Sequence, residues 1–143
     1  MYTFKEYYQN KPVLGVREII DIDGIGNVSA KIDSGNEAYN VLHGTDVVQD
    51  GNSISFTTVN NKRITKQRNG DIKIHIGSGM KEDRPIVSLD ITINGKHYSN
   101  IPFSIGDRSE NEDPVLIGEP FLRDLNAIID VSKSSKSSES NAL

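Results

Sequence analysis

An aliphatic stretch in which Val28, Ala30 and Ile32 alternate with Ser29 and Lys31 runs straight into Asp33-Ser34-Gly35. A carboxylate at the end of a strand is a natural way to offer general acid–base chemistry from a rigid scaffold. The glycine allows a tight turn there, and the hydroxyl can donate within that turn or accept a backbone N–H. The carboxylate is then held at a fixed point, where it can take a proton from water. Alone, the tripeptide reads first as a good turn, since Asp, Ser and Gly all favour turns without any chemistry.

Other chemistries find less support. His43, His75 and His97 stand in neither His-x-x-x-His nor His-Glu-x-x-His spacing, so no metal site is expected. Cysteine is absent, which removes disulfides, thiolate zinc, iron–sulfur clusters and a cysteine nucleophile together. No Gly-x-x-x-x-Gly-Lys-Ser/Thr loop occurs, and Gly77-Ser78-Gly79 runs into Met80-Lys81-Glu82-Asp83 rather than into an apolar helix. Ser34 lacks the Gly-x-Ser-x-Gly elbow of a serine hydrolase. The stretch from Gly106 to Asp113, with Asp107, Arg108, Glu110 and Glu112, reads as a solvated loop. No cofactor is expected.

The elements that must hold Asp33 are short strands. Asp23-Gly24, Asp50-Gly51, Asn69-Gly70 and Asn94-Gly95 each separate alternating apolar stretches, a strong local signal for hairpins. Residues 16–22 and 28–32 form one expected pair, 53–59 and 63–67 another, and 86–93 with 96–105 the clearest. Pro102 interrupts the last arm and predicts an edge or a strand end. Ile72, Ile74 and Ile76 alternate with Lys73 and His75, giving a further half-buried strand. Helix is expected only over residues 3–9 and 120–125. Six to eight such strands in a chain of 143 residues imply one all-β barrel or sandwich.

Sixteen Lys+Arg against twenty Asp+Glu leave a net charge of −4, which argues against nucleic-acid binding. No apolar run reaches the ~18 residues of a membrane span, and no secretory leader opens the sequence. A soluble, cytoplasmic, non-membrane protein is expected. Beyond Val131 the composition turns to Ser, Lys and Glu, which reads as a flexible tail. The expected division is an N-terminal segment 1–14, a barrel domain 15–131 and a Ser-rich tail 132–143.

A second segment raises the standing of Asp33. Pro114-Val115-Leu116-Ile117-Gly118-Glu119-Pro120-Phe121-Leu122 is an apolar strand ending in glycine, followed by a short helix start. Together with Asp33-Ser34-Gly35 it resembles the retroviral-type aspartic proteases. Gly15-Val16-Arg17-Glu18, the 30–35 stretch, Val41-Leu42-His43, Arg84-Pro85-Ile86-Val87, Phe103-Ser104-Ile105 with Asp107-Arg108, the 114–122 stretch and Ile129-Asp130-Val131 follow one another in order. That order is similar to the retropepsin-like family of bacterial and viral proteins often labelled "ATP-dependent zinc protease". The resemblance covers residues 15–131. It implies a closed or partly open acid-protease-like (retropepsin) barrel with one short C-terminal helix. It also implies catalytic roles for Asp33, Ser34 and Gly35, with Ile117 and Gly118 crossing the catalytic loop. Two positions depart from the family pattern. Asn36 replaces the alanine of Asp-Thr-Gly-Ala, and Glu119 stands where Leu-Gly-Arg has arginine.

An aspartic protease needs two facing carboxylates that share a proton, and this chain offers a single Asp-Ser-Gly. The resemblance therefore implies a homodimeric endopeptidase whose dyad is Asp33 from each of two subunits, acting on a peptide or protein. Asp130 is a poor substitute, lying in an apparent strand near the domain's end. The flap is expected at the basic stretch Lys62-Arg63 with Lys66 and Arg68, whose cations would suit an acidic peptide. The alternative is a catalytically silent retropepsin-fold module in a larger assembly, a virion included.

Overall fold

The computed structural model describes residues 11–76 and 79–134; the helix expected over residues 3–9 lies outside them. Among the described residues the strands run β1 Val13–Leu14, β2 Arg17–Ile22, β3 Gly26–Ile32, β4 Asn40–His43, β5 Thr45–Asp50 and β6 Ser53–Thr57. They continue as β7 Arg63–Gln67, β8 Asp71–Ile76, β9 Met80–Ile93, β10 Lys96–Gly106, β11 Val115–Ile117 and β12 Ile128–Ile129. Among the described residues the one helix, α1, spans Glu119–Asp124, where a short helix was expected. The expected strand pairs form: β2 with β3, β6 with β7 and β9 with β10 are all antiparallel. The extra elements are those without apolar alternation, such as β5, whose Thr-Asp-Val-Val-Gln-Asp stays largely exposed.

Alternation closes the sheet on itself. The order β10-β4-β11-β3-β2-β9, with β9 pairing back to β10, makes a six-stranded closed barrel. Its interior is mostly aliphatic: Ile20, Ile22, Ala30, Val87, Ile91, Val115 and Ile117 are fully buried, with the aromatic Phe103 among them. β9 serves two purposes along its length. Residues 80–85 pair with β8 as an exposed ribbon, whereas 86–93 enter the barrel wall against β10. A second sheet, β5-β6-β7, packs its Ile54 and Phe56 into the same core.

Pro102 is not at an edge. It pairs with Ser88 across β9, and β10 is covered on its other side by β4 from Phe103 onward. The missing N–H is tolerated because the β4 pairing begins one residue later and the Pro102 carbonyl is used, accepting from Asn40 Nδ2 at 3.2 Å.

The placement of β11 matters most for the site. It lies parallel to β3, with Ile117 opposite Ile32, and antiparallel to β4, with Leu116 opposite Val41. β3 and β4 are consecutive in the chain, so the loop joining them must arch over the end of β11.

The two ends of the described chain meet on the barrel. β1 pairs with β12 in parallel, and the Val16 N–H donates to the Lys133 carbonyl at 2.8 Å. Glu18 is buried, accepts the Gly15 N–H at 2.6 Å and pairs with Lys133 Nζ at 3.5 Å. Lys133 thus belongs to the fold although it stands in the Ser-rich stretch. Removing the cation leaves a buried carboxylate with one backbone donor. Lys133→Ala should cost about 1–2 kcal/mol, moderated by the partial exposure of the ammonium. That lowers the melting temperature by roughly 3–8 °C. A thermal melt superimposable on the parent's would show that the pair holds nothing.

Candidate active site

Asp33 is the first residue beyond β3. Its N–H donates to the Ile117 carbonyl at 2.9 Å, extending the β3–β11 pairing, and its own carbonyl accepts the Asn36 N–H at 3.2 Å to close the turn. The carboxylate is oriented by the backbone: Gly35 N–H donates to Asp33 Oδ1 at 3.1 Å. Asp33 is half-buried, and Ser34 and Gly35 are exposed. Gly35 does not take a positive φ, so the freedom expected of it is not what shapes this turn.

The glycine that the loop does require is Gly118. A Cβ there would stand 2.6 Å from the Ala38 carbonyl oxygen and 3.1 Å from that of Asn36. The arching loop therefore rests directly on the end of β11. Two polar clamps hold it down. Glu119 N–H donates to the Asn36 carbonyl at 2.8 Å, and Gly118 N–H donates to Asn40 Oδ1 at 2.9 Å. Asn40 is buried and spans the gap to β10 through its bond to Pro102.

Both departures from the family pattern meet here. Asn36 Oδ1 accepts the Ala38 N–H at 3.1 Å, stiffening the loop from within. Glu119 ion-pairs with Arg123 one helical turn on. Asn36 and Glu119 are joined through the backbone bond just described, so a polar side chain at each is accommodated by local partners.

The stretch from Gly106 to Asp113 is exposed at Asp107 and residues 109–112, as expected of a solvated loop, and is pinned at Arg108 and Asp113. Asp113 is buried against Arg17 Nε at 2.9 Å, which raises the Arg17 pKa further, and Arg17 also reaches Glu112. Arg108 Nε donates to the Asp113 carbonyl at 2.9 Å. The Arg108 N–H donates to His43 Nδ1, also at 2.9 Å, which makes that nitrogen the acceptor of the ring. Burial lowers the Arg108 pKa, Asp113 opposes that, Arg84 adds to it, and Asp33 opposes it. Arg108 thus lies within the field of both Asp33 and Arg84. Arg84 packs beneath Gly106, where a Cβ would meet its Nη1 at 2.8 Å, and bonds Glu82 at 3.1 Å.

Ile117 and Gly118 are therefore brought to Asp33, Ser34 and Gly35, and Lys62 and Arg63 are not. Those two stand at the β6–β7 turn, which is fastened by Asn60 Nδ2 to the Ile25 carbonyl at 3.2 Å. Ile25 precedes β3 and Asp33 follows it, so the turn is anchored at the opposite end of that strand. Arg63 is occupied by the Asp46 carbonyl at 2.6 Å and Thr57 Oγ1 at 3.1 Å. A cation that lies in the field of the Asp33 carboxylate is Arg108, and Arg84 in turn acts on Arg108. Both stand in segments that carry the family resemblance, but only the fold shows them converging. Asn40 left no signal beyond preceding Val41-Leu42-His43. Asp130 is far from any dyad role: it follows β12, and Ser132 holds its carboxyl below the usual range through a hydroxyl and a backbone bond.

Gly118→Ala should push the loop off β11, because the first atoms met are backbone and cannot swing away. A stability loss of about 1–3 kcal/mol is expected. Amide exchange at Asp33 and Glu119 should quicken with it, since both N–H groups bond across the contact. Unchanged exchange at those two amides would show that the loop does not depend on the contact.

The chain was compared with known proteins. No curated protein matches it. A solved structure from Legionella pneumophila, a protein of unknown function carrying the designation DUF785, superposes with a TM-score of 0.70. The two share 24% identity over 86% of this chain and 95% of that one, a likeness that speaks to the fold. A family model described as RimB-like, retropepsin-like aspartic endopeptidase RimB, matches residues 13–139. That span holds the barrel, the arching loop and the strand beneath it, and the chain belongs to the RimB-like family of retropepsin-like aspartic endopeptidases.

Proposed function

We propose that the protein is an aspartic endopeptidase that works as a homodimer, with Asp33 of each subunit forming the dyad. The observation that carries this reading is the held carboxylate: Asp33 sits on a loop fixed by Ile117, Gly118 and Asn40, with Gly35 orienting its Oδ1. Each chain supplies one such group, so a two-fold partner completes the site.

In the dimer the two carboxylates share a proton, because like charges about 3 Å apart cannot both ionise. The ionised one takes a proton from the water lying between them. The protonated one donates to the carbonyl oxygen of the peptide, and the hydroxide equivalent adds to its carbon. Collapse of the tetrahedral adduct breaks the C–N bond as the amine leaves with a proton from the dyad. Arg108, which lies in the field of Asp33, brings positive charge toward this chemistry and suits a peptide with acidic side chains, the role first expected of Lys62 and Arg63. The silent-module reading rests on Asn36, Glu119 and the single Asp-Ser-Gly carboxylate per chain. Asn36 and Glu119 each have a structural partner in the loop or helix, and neither side chain bonds to Asp33 among the described contacts.

Asp33→Asn removes the proton acceptor from both halves of the dyad at once. Peptide cleavage should fall by roughly 10²–10⁴-fold or more, while dimerisation survives, since Asn is nearly isosteric and relieves charge repulsion. Below the dimer dissociation constant, parent activity should rise with the square of protein concentration. Chelators should leave the rate unchanged. The assay is cleavage of a peptide library between about pH 4 and 7, from the ordinary pKa of an aspartate upward, with sedimentation to follow assembly. Equal cleavage by Asp33→Asn would defeat the aspartic mechanism, and a dimeric parent that cuts nothing would favour the silent module.

A further inference from the structure

The spacing of the histidines in sequence predicts no metal site, yet the fold gathers ligands from three separate elements. At the far end of β3 from Asp33, Asp23 in the β2–β3 turn, Asp90 on β9 and His97 on β10 each offer one ligand atom, all within 4.8 Å of one another. They share the outer face of the barrel. Asp23 N–H donates to the Asp90 carbonyl at 3.0 Å, making the two aspartates cross-strand neighbours, and His97 lies opposite Thr92.

Three features distinguish this group from a patch of surface acids. First, one member is an imidazole, and its Nδ1 lies 3.2 Å from Thr92 Oγ1. A partner on one ring nitrogen fixes the ring and leaves the other nitrogen directed, as in ligating histidines. Second, the Asp90 carboxylate is oriented from outside the group. The N–H of Asn100 donates to its Oδ1 at 2.8 Å, and Asn100 takes φ +58° in the irregular stretch of β10 between Tyr98 and Ile101. Third, the ion pairs found among the described residues include neither Asp23 nor Asp90. Two carboxylates facing each other across a strand pair destabilise the sheet, and a cation between them would reverse the sign of that interaction.

We infer that Asp23, Asp90 and His97 form a binding site for a divalent transition-metal ion. One imidazole and two carboxylates suit zinc or manganese better than magnesium or calcium, which take oxygen ligands. The bound ion would tie the β2–β3 turn to β9 and β10. Its position, separated from Asp33 by the length of β3, makes it a structural site independent of the proteolytic reading.

The test is calorimetric titration of the full-length protein with Zn²⁺ alone, at a fixed neutral pH because metal affinity depends on pH. Saturable binding of one ion per chain is expected, weakened at least about tenfold by His97→Gln or Asp90→Asn. His75→Gln, on an exposed strand away from the cluster, should bind as the parent does. Zn²⁺ should raise the parent's melting temperature and leave that of His97→Gln unmoved. Asp23→Asn separates a ligand role from a merely structural one. Without metal it should melt at or slightly above the parent's temperature because the repulsion is gone, and with Zn²⁺ below it. Zn²⁺ binding undiminished in His97→Gln, no saturable binding up to about 1 mM, the weak end of specific affinities, or equally tight Mg²⁺ binding would overturn the assignment.

Discussion

The contact between the end of β11 and the loop that arches over it is the constraint on which the site depends. β11 occupies the slot between β3 and β4, pairing with both. The chain that joins β3 to β4 can pass only above it, and it passes at a backbone–backbone distance that leaves no room for a side chain. Gly118 meets that demand by lacking Cβ rather than by unusual dihedral angles, for it has extended backbone at φ −94° and ψ 173°. The same residue ends β11 and precedes α1. A single position therefore sets the height of the loop, the stop of the strand and the start of the helix. Asn40 then fastens the arrangement to β10, using its oxygen for Gly118 and its nitrogen for Pro102.

Charge supplies the second layer of support. The stretch from Gly106 to Asp113 would be a mobile acidic loop if composition alone decided. Burial of Asp113 against Arg17 changes its character, because a carboxylate removed from water requires its partner's geometry to be kept. Arg108 is drawn in behind it, bonded through its side chain to the Asp113 carbonyl and through its backbone to His43. That brings a partly desolvated guanidinium into the field of Asp33. Burial weakens the hold of Arg108 on its proton in direction only, since guanidinium remains charged under all ordinary conditions. A cation thus stands in the field of Asp33 within a chain whose net charge is −4, a pairing that no average over the sequence reports.

Much of the fold was legible because period-two alternation and Gly-containing turns act locally. Val28, Ala30 and Ile32 point inward as their spacing requires, and Asn94-Gly95 turns the β9–β10 hairpin with both residues at positive φ. Asp33 was legible for the same reason, as the first polar residue where an apolar strand stops. What could not be read depends on residues distant in sequence. Pro102 looks like an edge until Asn40 is seen to use its carbonyl. The solvated reading of the 106–113 stretch holds at Asp107 and residues 109–112 and misses only its anchoring, because Arg17, the partner of Asp113, lies 96 residues away along the chain. Lys62 and Arg63 form a convincing basic tip, but Asn60 anchors their turn to Ile25. Arg108, which does lie in the field of Asp33, is placed there by its bonds to Asp113 and to His43, the latter 65 residues away along the chain.

A dyad places a mechanical demand on its scaffold. Two carboxylates brought within hydrogen-bond reach repel until a proton is shared, and at small separations in a poorly solvated site that repulsion amounts to several kcal/mol. A loop free to yield would relieve it by moving apart, and the shared proton would then be lost along with the catalytic geometry. Here the loop is bonded through Asp33 N, Glu119 N and Gly118 N to strands of the closed barrel, and it has backbone contact beneath it at Gly118. These bonds and that contact oppose movement of the loop away from β11. That suits a carboxylate that must stay in place against a like charge. The stiffness around Asp33, more than the identity of the Asp-Ser-Gly tripeptide, is the physical ground for reading this end of the barrel as a half-site that is completed by its symmetry mate.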